Sequence, residues 1–275
     1  MSDEPVASRI VPVLLYHSIS PQRSQDDRFA VSRATFEAHA DAIKASGRVT
    51  IRIGELARAM RGEKALPPRV AAITFDDGFA DNYDAILSLL DRQLGSTLYV
   101  TTGPLGTGRR LKSSQVAELA SMPGVEIGAH TVHHPYLDEL DDREIADEVG
   151  VSKRDLEDLT QRPVRSFAYP HGAYDDRVRQ AVINAGYQSG AGVKNAVSHL
   201  GDDSFAIARW TVTPDTTASR IEQVLEGIDV PLAWSGERVR TRAYRTVRRT
   251  RRRVVRMLAP EGISVGVGAG TAEVS

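Results

Sequence analysis

The 275-residue sequence contains no cysteine. Disulfides and thiolate metal ligands are therefore both excluded, any metal site must be built from histidine and carboxylate, and the redox compartment stays open. The amino-terminal stretch "MSDEPVASRIVPVLLYHSIS" is acidic where a secretory leader would be basic, and its apolar run "IVPVLLY" is too short to span a bilayer. The expectation is a cytoplasmic protein, neither exported by a standard signal nor transmembrane. No internal repeat stands out, and the net charge is only -1. That near-neutrality hides an asymmetry: ten arginines face three acidic residues from Pro231 to Ser275, about +7, against about -8 for the rest. A boundary near residue 230 follows.

What is present is enough for one sizeable core, with 41% hydrophobic and 26% charged residues. Strand and helix patterns alternate along the chain. "VPVLLYH" (11–17), "VAAITF" (70–75), "STLYVTTG", "VEIGAHT", "RSFAYP", "YQSGAGV" and "FAIARWTV" read as strands. Between them, helices are predicted over "SRATFEAHADAIKASG", with Ser32 as N-cap and Gly47 as the stop, and over "NYDAILSLLDRQLG", "SSQVAELASMPG", "REIADEVGVSKRDLEDLTQ" and "DDRVRQAVINAG"; "TASRIEQVLEGI" follows the last strand. Such alternation implies parallel strands with helical crossovers, in a barrel or an open sheet.

In folds of this kind reactive groups gather at the carboxyl ends of the strands. His17, the pair Asp76 and Asp77, the run His130, His133 and His134, and the pair Tyr169 and His171 all fall there. Two adjacent carboxylates can both ionise if a divalent cation takes one of them, since the ion outweighs their repulsion. One aspartate then ligates and the other serves as general base. His130 and His134, four residues apart, meet on one ion if the segment turns helical after its strand. Two histidines and one carboxylate leave a position open for water, and zinc is the default metal for that ligand mix, with cobalt or nickel as alternatives. Taken singly, "DDG" also reads as a turn and HxxxH as a solvated helix face; their joint occurrence at successive strand ends favours the metal site.

"TFDDG" (74–78), "HTVHH" (130–134) and "FAYPHG" (167–172) resemble the first three motifs of the polysaccharide deacetylase family, the NodB-homology domain of carbohydrate esterase family four. The resemblance implies a distorted (β/α) barrel of parallel strands and metal-dependent removal of acetyl groups from N-acetylated sugars. "LLYHSIS", "FAVSRATFEAHADAIKASG" and "FAIARWTVTPDTTASRIEQVL" look most like the branch that acts on poly-N-acetylglucosamine. Carried over, Asp76 is the general base, Asp77, His130 and His134 are the ligands, and Tyr169, Pro170, His171 and Gly172 shape the substrate groove. The backbone N–H of His171 would stabilise the oxyanion. Two departures stand out. The arginine many members have after the motif-three Phe is Ala168 here, and no histidine follows His199 to act as acid in a terminal "LxH" strand. His17 is the candidate substitute acid. His133 is expected to be a partly solvated neighbour, and His39 and His199 surface residues. Trp210 is a candidate sugar-stacking platform, with core packing as its plainer reading.

The expected organisation is a catalytic domain over 1–230, an Arg-rich helical extension over 231–262 and a disordered tail over 263–275. For the basic segment, an interfacial helix on an anionic membrane ranks first, ahead of nonspecific nucleic-acid contact and of packing on the acidic catalytic domain. A cytoplasmic enzyme at the inner face of the membrane could then meet a lipid-linked N-acetylated sugar. Two rivals accompany the deacetylase reading: a related C–N hydrolase on a non-sugar amide, and a catalytically inactive carbohydrate-binding relative.

Overall fold

The computed structural model describes residues 9–20 and 28–234, all within one compact unit, Met1–Ser235. The Arg-rich extension and the tail expected after it lie outside the described residues, apart from their first four positions. In chain order the elements are β1 (Ile10–Val11), β2 (Val13–Tyr16), α1 (Arg33–Ala45), β3 (Val49–Thr50), α2 (Ile53–Met60), β4 (Val70–Phe75), α3 (Asn82–Asp91), β5 (Ser96–Val100) and α4 (Ser113–Ser121). There follow β6 (Val125–Ala129), α5 (Asp142–Thr160), β7 (Ser166–Ala168), α6 (Asp176–Asn184), β8 (Ser189–Ala191), β9 (Ser198–His199), β10 (Trp210–Thr211) and α7 (Ala218–Leu225). None of these helices is long and apolar enough to cross a membrane.

The main sheet runs in the order β10-β2-β4-β5-β6-β7-β8, with β3 on β4, and its pairings are parallel. The sheet curls into a distorted barrel. Because side chains alternate across a strand, each strand feeds two cores. Leu14, Tyr16, Ile73 and Phe75 pack outward among the helices, with Phe36 of α1 and Val224 of α7. Val13, Val70, Ala72, Tyr99, Ala168, Ala191 and Ile207 form the inner core. All six residues of β4 are buried, as a strand covered on both faces requires.

Residues 205–212 close the ring. The sequence pattern predicts one strand there; instead Ile207 bridges Ala191 of β8, and Trp210 and Thr211 pair with Leu14 and Leu15 of β2. Arg209 lies between these two pairings, at the seam. α2 and β3 have no counterpart in the sequence expectations, although Ile53, Leu56, Ala57 and Met60 recur at helical spacing. α2 covers the amino-terminal mouth: Ile53 and Leu56 join the inner core, and the Gly54 N–H donates to Glu126 over 2.9 Å.

Local caps follow the sequence. Ser32 accepts from the Thr35 N–H, and Asp141 and Glu144 form a reciprocal capping box on α5. His39, expected at the surface, is buried: Nδ1 meets the Tyr16 hydroxyl at 3.2 Å and Nε2 the Thr216 carbonyl at 2.9 Å, tying α1 to the segment before α7. His199, also expected at the surface, is half-buried on β9 beside Asp202. The charge-based break at 230 falls within packed chain, since the Val197 N–H donates to the Pro231 carbonyl and the Ala233 N–H to the Val197 carbonyl.

Two glycines test this packing in opposite directions. A Cβ on Gly128 of β6 would lie 2.5 Å from the Tyr99 ring and 2.7 Å from Ser166 Oγ, whereas one on Gly150 of α5 would meet only Arg154 Nη1, at 3.4 Å. Gly128→Ala should cost about 2 kcal/mol in urea unfolding, while Gly150→Ala should gain about 0.5–1 kcal/mol. Equal effects from the two substitutions would contradict the inner-face packing.

Candidate metal centre

The loops leaving β2, β4, β6 and β7 bring His17, Asp76 and Asp77, His130 and His134, and His171 to one rim. Regular backbone does not do this. Asp77 and Gly78 (φ 73° and 70°), Thr131 and His134 (65° and 62°), and His171 and Gly172 (58° and 66°) all adopt left-handed conformations. A β-branched threonine there is strained, which marks the β6 loop as held by its surroundings. The helical turn expected to bring His130 and His134 together is absent. A bend does it, pinned by the His134 N–H donating to Thr131 Oγ1 over 2.9 Å.

Asp76 is 3% exposed and is gripped by Arg209, which is fully buried. Nη1 donates to Oδ1 at 2.6 Å and Nη2 to Oδ2 at 2.8 Å, a two-pronged fork. The guanidinium is itself fixed by Nε donating to the Gly192 carbonyl at 2.9 Å and lies 5.4 Å from the Tyr99 ring centre. Burial alone would raise the Asp76 pKa; Arg209, with His130, overrides it and holds the carboxyl at about 2. Arg209 thus pairs with the aspartate expected to be the base, while the motif-three position is Ala168. The available signal was an arginine between apolar residues in "FAIARWTV", a charge that a buried strand tolerates only beside a partner.

Asp77 takes the other part. Its Oδ1 is buried without a hydrogen-bond partner and lies 3.2 Å from His134 Nε2 and 3.5 Å from His130 Nε2. Donor atoms about 2.0–2.1 Å from a tetrahedral ion are about 3.3 Å apart, so these separations fit one metal ion. All three ligand atoms lie within 4.8 Å of one another. His130 donates Nδ1–H to the Ala168 carbonyl at 2.8 Å, which leaves the Nε2 lone pair facing the carboxylates. Burial, partly opposed by Asp76, lowers its pKa to about 4, so the imidazole is neutral. Arg110 donates to the Asp77 carbonyl at 2.8 Å and steadies the strained turn.

His17 faces the same two carboxylates. Burial lowers its pKa, and Asp77 and Asp76 partly restore it. Its ring stacks on Phe29 (4.9 Å, 19°). Its backbone is clamped from the end of the "DDGFADN" stretch. Asn82 donates to the His17 carbonyl at 2.6 Å, and Asp81 accepts from Ser18 Oγ at 2.7 Å and from the Ile19 N–H at 2.9 Å.

Other candidates fall elsewhere. His133 points outward, Nδ1 lying 2.7 Å from Glu148 Oε1. Tyr169 is fully buried, its hydroxyl donating to the Phe205 carbonyl at 3.1 Å, and Pro170 is buried beside it. Neither can line a groove; Ala168 faces the barrel interior, so its neighbour Tyr169 must face the helices. Trp210 likewise faces outward, because Arg209 before it points in. It packs against the outer core under the Arg220 guanidinium, so core packing replaces the sugar platform. His171 is exposed beside the ligands, and Gly172 holds its turn close to Val193, 2.9 Å from where a Cβ would lie.

Residues 63–190 match the family model described as polysaccharide deacetylase. Over that span the chain is similar to the polysaccharide deacetylase (NodB-type) domain. It is 27% identical over 219 residues to the Bacillus subtilis (strain 168) protein YxkH, described as a candidate polysaccharide deacetylase, covering 79% of this chain and 77% of that one. A Bacillus cereus peptidoglycan-N-acetylglucosamine deacetylase is 28% identical over 122 residues, covering 44% of this chain and 55% of that one. Among solved structures, the Streptococcus pyogenes deacetylase PplD, in complex with acetate, superposes with a TM-score of 0.73 at 24% identity, covering 79% of this chain and 99% of that one. The matched span holds Asp76, Asp77, His130, His134 and His171. His17 and Arg209 fall outside it.

Arg209→Met would leave Asp76 buried without a counter-charge and should destabilise the protein by about 3–5 kcal/mol, while the double variant Asp76→Leu/Arg209→Met should recover most of that loss. Folding lowers the Asp76 pKa, so the pair's contribution is complete above the unfolded-state value of about 4 and fades as pH falls towards the folded value. Urea midpoints of the wild type between pH 7 and pH 2 should show this loss, and the double variant a flatter profile. A loss below 1 kcal/mol for Arg209→Met would show that the fork holds nothing.

Proposed function

We propose that this chain is a metal-dependent hydrolase that removes N-acetyl groups from an N-acetylated sugar or polysaccharide. The observation that carries this reading is the division between adjacent aspartates: Arg209 forks onto Asp76, while Asp77 Oδ1 stands open to His130 and His134. A bound divalent ion, zinc by ligand preference, would act as a Lewis acid on the acetyl carbonyl and lower the pKa of an attacking water.

The protein's own groups do the rest. Asp77, His130 and His134 hold the ion. Asp76, fixed in orientation by Arg209, takes the water's proton at Oδ2, the oxygen 3.7 Å from His130 Nε2. The same grip that aims Asp76 lowers its basicity, so orientation is gained at the expense of proton affinity. Negative charge developing on the acetyl oxygen would be met by the His171 backbone N–H, in the left-handed turn after β7. His17 delivers a proton to the departing amine nitrogen, a poor leaving group otherwise. An internal His17 acid and the "LLYHSIS" lead-in support the poly-N-acetylglucosamine branch as the substrate class. The pairing of Arg209 with Asp76 weakens the case for a non-sugar amide substrate.

The test is acetate release from chitooligosaccharides, poly-N-acetylglucosamine fragments and a lipid-linked N-acetylsugar, with metal-free protein and protein loaded with zinc, cobalt or nickel. Metal-dependent release is expected, and Asp76→Asn should reduce turnover by at least about a hundredfold. Retained activity in that variant would reject Asp76 as base, and no release from any substrate by metal-loaded wild type would reject the deacetylase.

The Arg-rich segment after residue 235 keeps its proposed role at an anionic membrane, which would put the enzyme beside lipid-linked sugars. Sedimentation with phosphatidylglycerol vesicles should fall on deletion of residues 236–275. Unchanged sedimentation would remove the basis for membrane recruitment.

A further inference from the structure

The metal centre occupies one end of the barrel, and the opposite end, at the amino termini of the strands, carries a different chemistry. Arginine stands immediately before β3, β4 and β7, as Arg48, Arg69 and Arg165. Two of these share one carboxylate: Arg48 reaches Glu226 at 3.2 Å and Arg69 reaches it at 2.6 Å. Arg165 has no such pairing. It is exposed, and among the described residues its guanidinium has neither an ion-pair nor a hydrogen-bond partner. The same holds for the side chain of Arg162, three residues earlier in the loop from α5 to β7.

Both arginines line a pocket of about 440 Å³, and Arg58 of α2 lines it with them. Arg58 Nε lies 3.8 Å from Glu63, a carboxylate that Arg61 already holds at 2.6 Å. The two acidic residues of the lining are engaged by other groups. Glu55 is held by Lys64 and, at 3.1 Å, by Arg52. Glu126 accepts from the Gly54 N–H, and burial raises its pKa, which favours its neutral form. Positive charge therefore prevails in the pocket. A carboxylate satisfies one guanidinium fork, whereas a phosphate monoester offers three acceptor oxygens and close to two charges, enough for several forks at once. Val125, Ile127 and Val164 supply an apolar wall, and the volume is larger than a bare phosphate needs and within the range of small-molecule sites.

We infer that Arg58, Arg162 and Arg165 form a second ligand site, at the end of the barrel opposite the metal centre, for a phosphate monoester whose organic part lies on the apolar wall. A soluble ester and the headgroup of phosphatidic acid present this same chemistry. The site stands independently of the deacetylase reading, since none of its residues belongs to the metal centre.

The test is calorimetry with phenyl phosphate on the full chain, freed of metal by a chelator so that the metal centre adds no phosphate binding. Arg162→Ser/Arg165→Ser is compared with Arg143→Ser/Arg154→Ser, which removes the same charge from two exposed arginines of α5 outside the pocket. The pocket variant should bind about tenfold more weakly than wild type, and the control within about twofold of it. No binding by the wild type, unchanged affinity in the pocket variant, or equal losses in the two variants would each overturn the site. Sedimentation with phosphatidylcholine vesicles, with and without phosphatidic acid, identifies the source of the phosphoryl group. Sedimentation on phosphatidic acid that falls in the pocket variant more than in the control assigns the site to the lipid headgroup; equal sedimentation of the two, with phenyl phosphate affinity lost only in the pocket variant, assigns it to a soluble ester.

Discussion

The site depends on one buried ion pair, the fork between Arg209 and Asp76. Two neighbouring carboxylates at a strand end compete for any cation that arrives. Arg209 forks onto both oxygens of Asp76 and so sets that carboxylate apart from Asp77, whose Oδ1 faces His130 and His134. Neither member could be buried alone, because an isolated charge in the barrel would be neutralised or drawn to solvent. The barrel seam makes the pair possible. Arg209 lies where the chain leaves its bridge to β8 and before it pairs with β2, and its guanidinium reaches across the interior to the end of β4.

Around that pair, chemistry is carried by backbone that departs from regular structure. Asp77, Thr131, His134 and His171 all stand in the left-handed region. Such conformations persist where hydrogen bonds over-determine them, and here they do: Arg110 on the Asp77 carbonyl, Thr131 Oγ1 under the His134 N–H, and Glu148 accepting from the Val132 and His133 N–H groups. The strands supply direction, the loops supply convergence, and charged residues behind the loops keep both in place.

Much of this was legible in the sequence. The alternation of strands and helices predicted the parallel barrel, since buried parallel strands read as apolar runs, and "TFDDG" and "HTVHH" marked residues that the structure brings together at one rim. What escaped depended on facing. Tyr169 was a groove candidate through the family resemblance and Trp210 as an aromatic at a strand end, yet Ala168 and Arg209 point inward, and period-two alternation turns their neighbours towards the helices. Arg209 itself was hidden by a sequence position far from the three motifs. His39 read as solvated because its partners, Tyr16 and Thr216, come from distant parts of the chain.

The central claim is that adjacent aspartates have been given different tasks by their surroundings. It is tested most directly by titrating zinc against a chromophoric chelator into wild-type, Asp76→Asn and Asp77→Asn protein, each verified as folded by circular dichroism. Asp77→Asn should weaken zinc binding by about a hundredfold or more, while Asp76→Asn should stay within about threefold of wild type. Equal losses in the two variants, or a greater loss for Asp76→Asn, would contradict the account, because Asp76 would then be a ligand that Arg209 does not withhold from the metal.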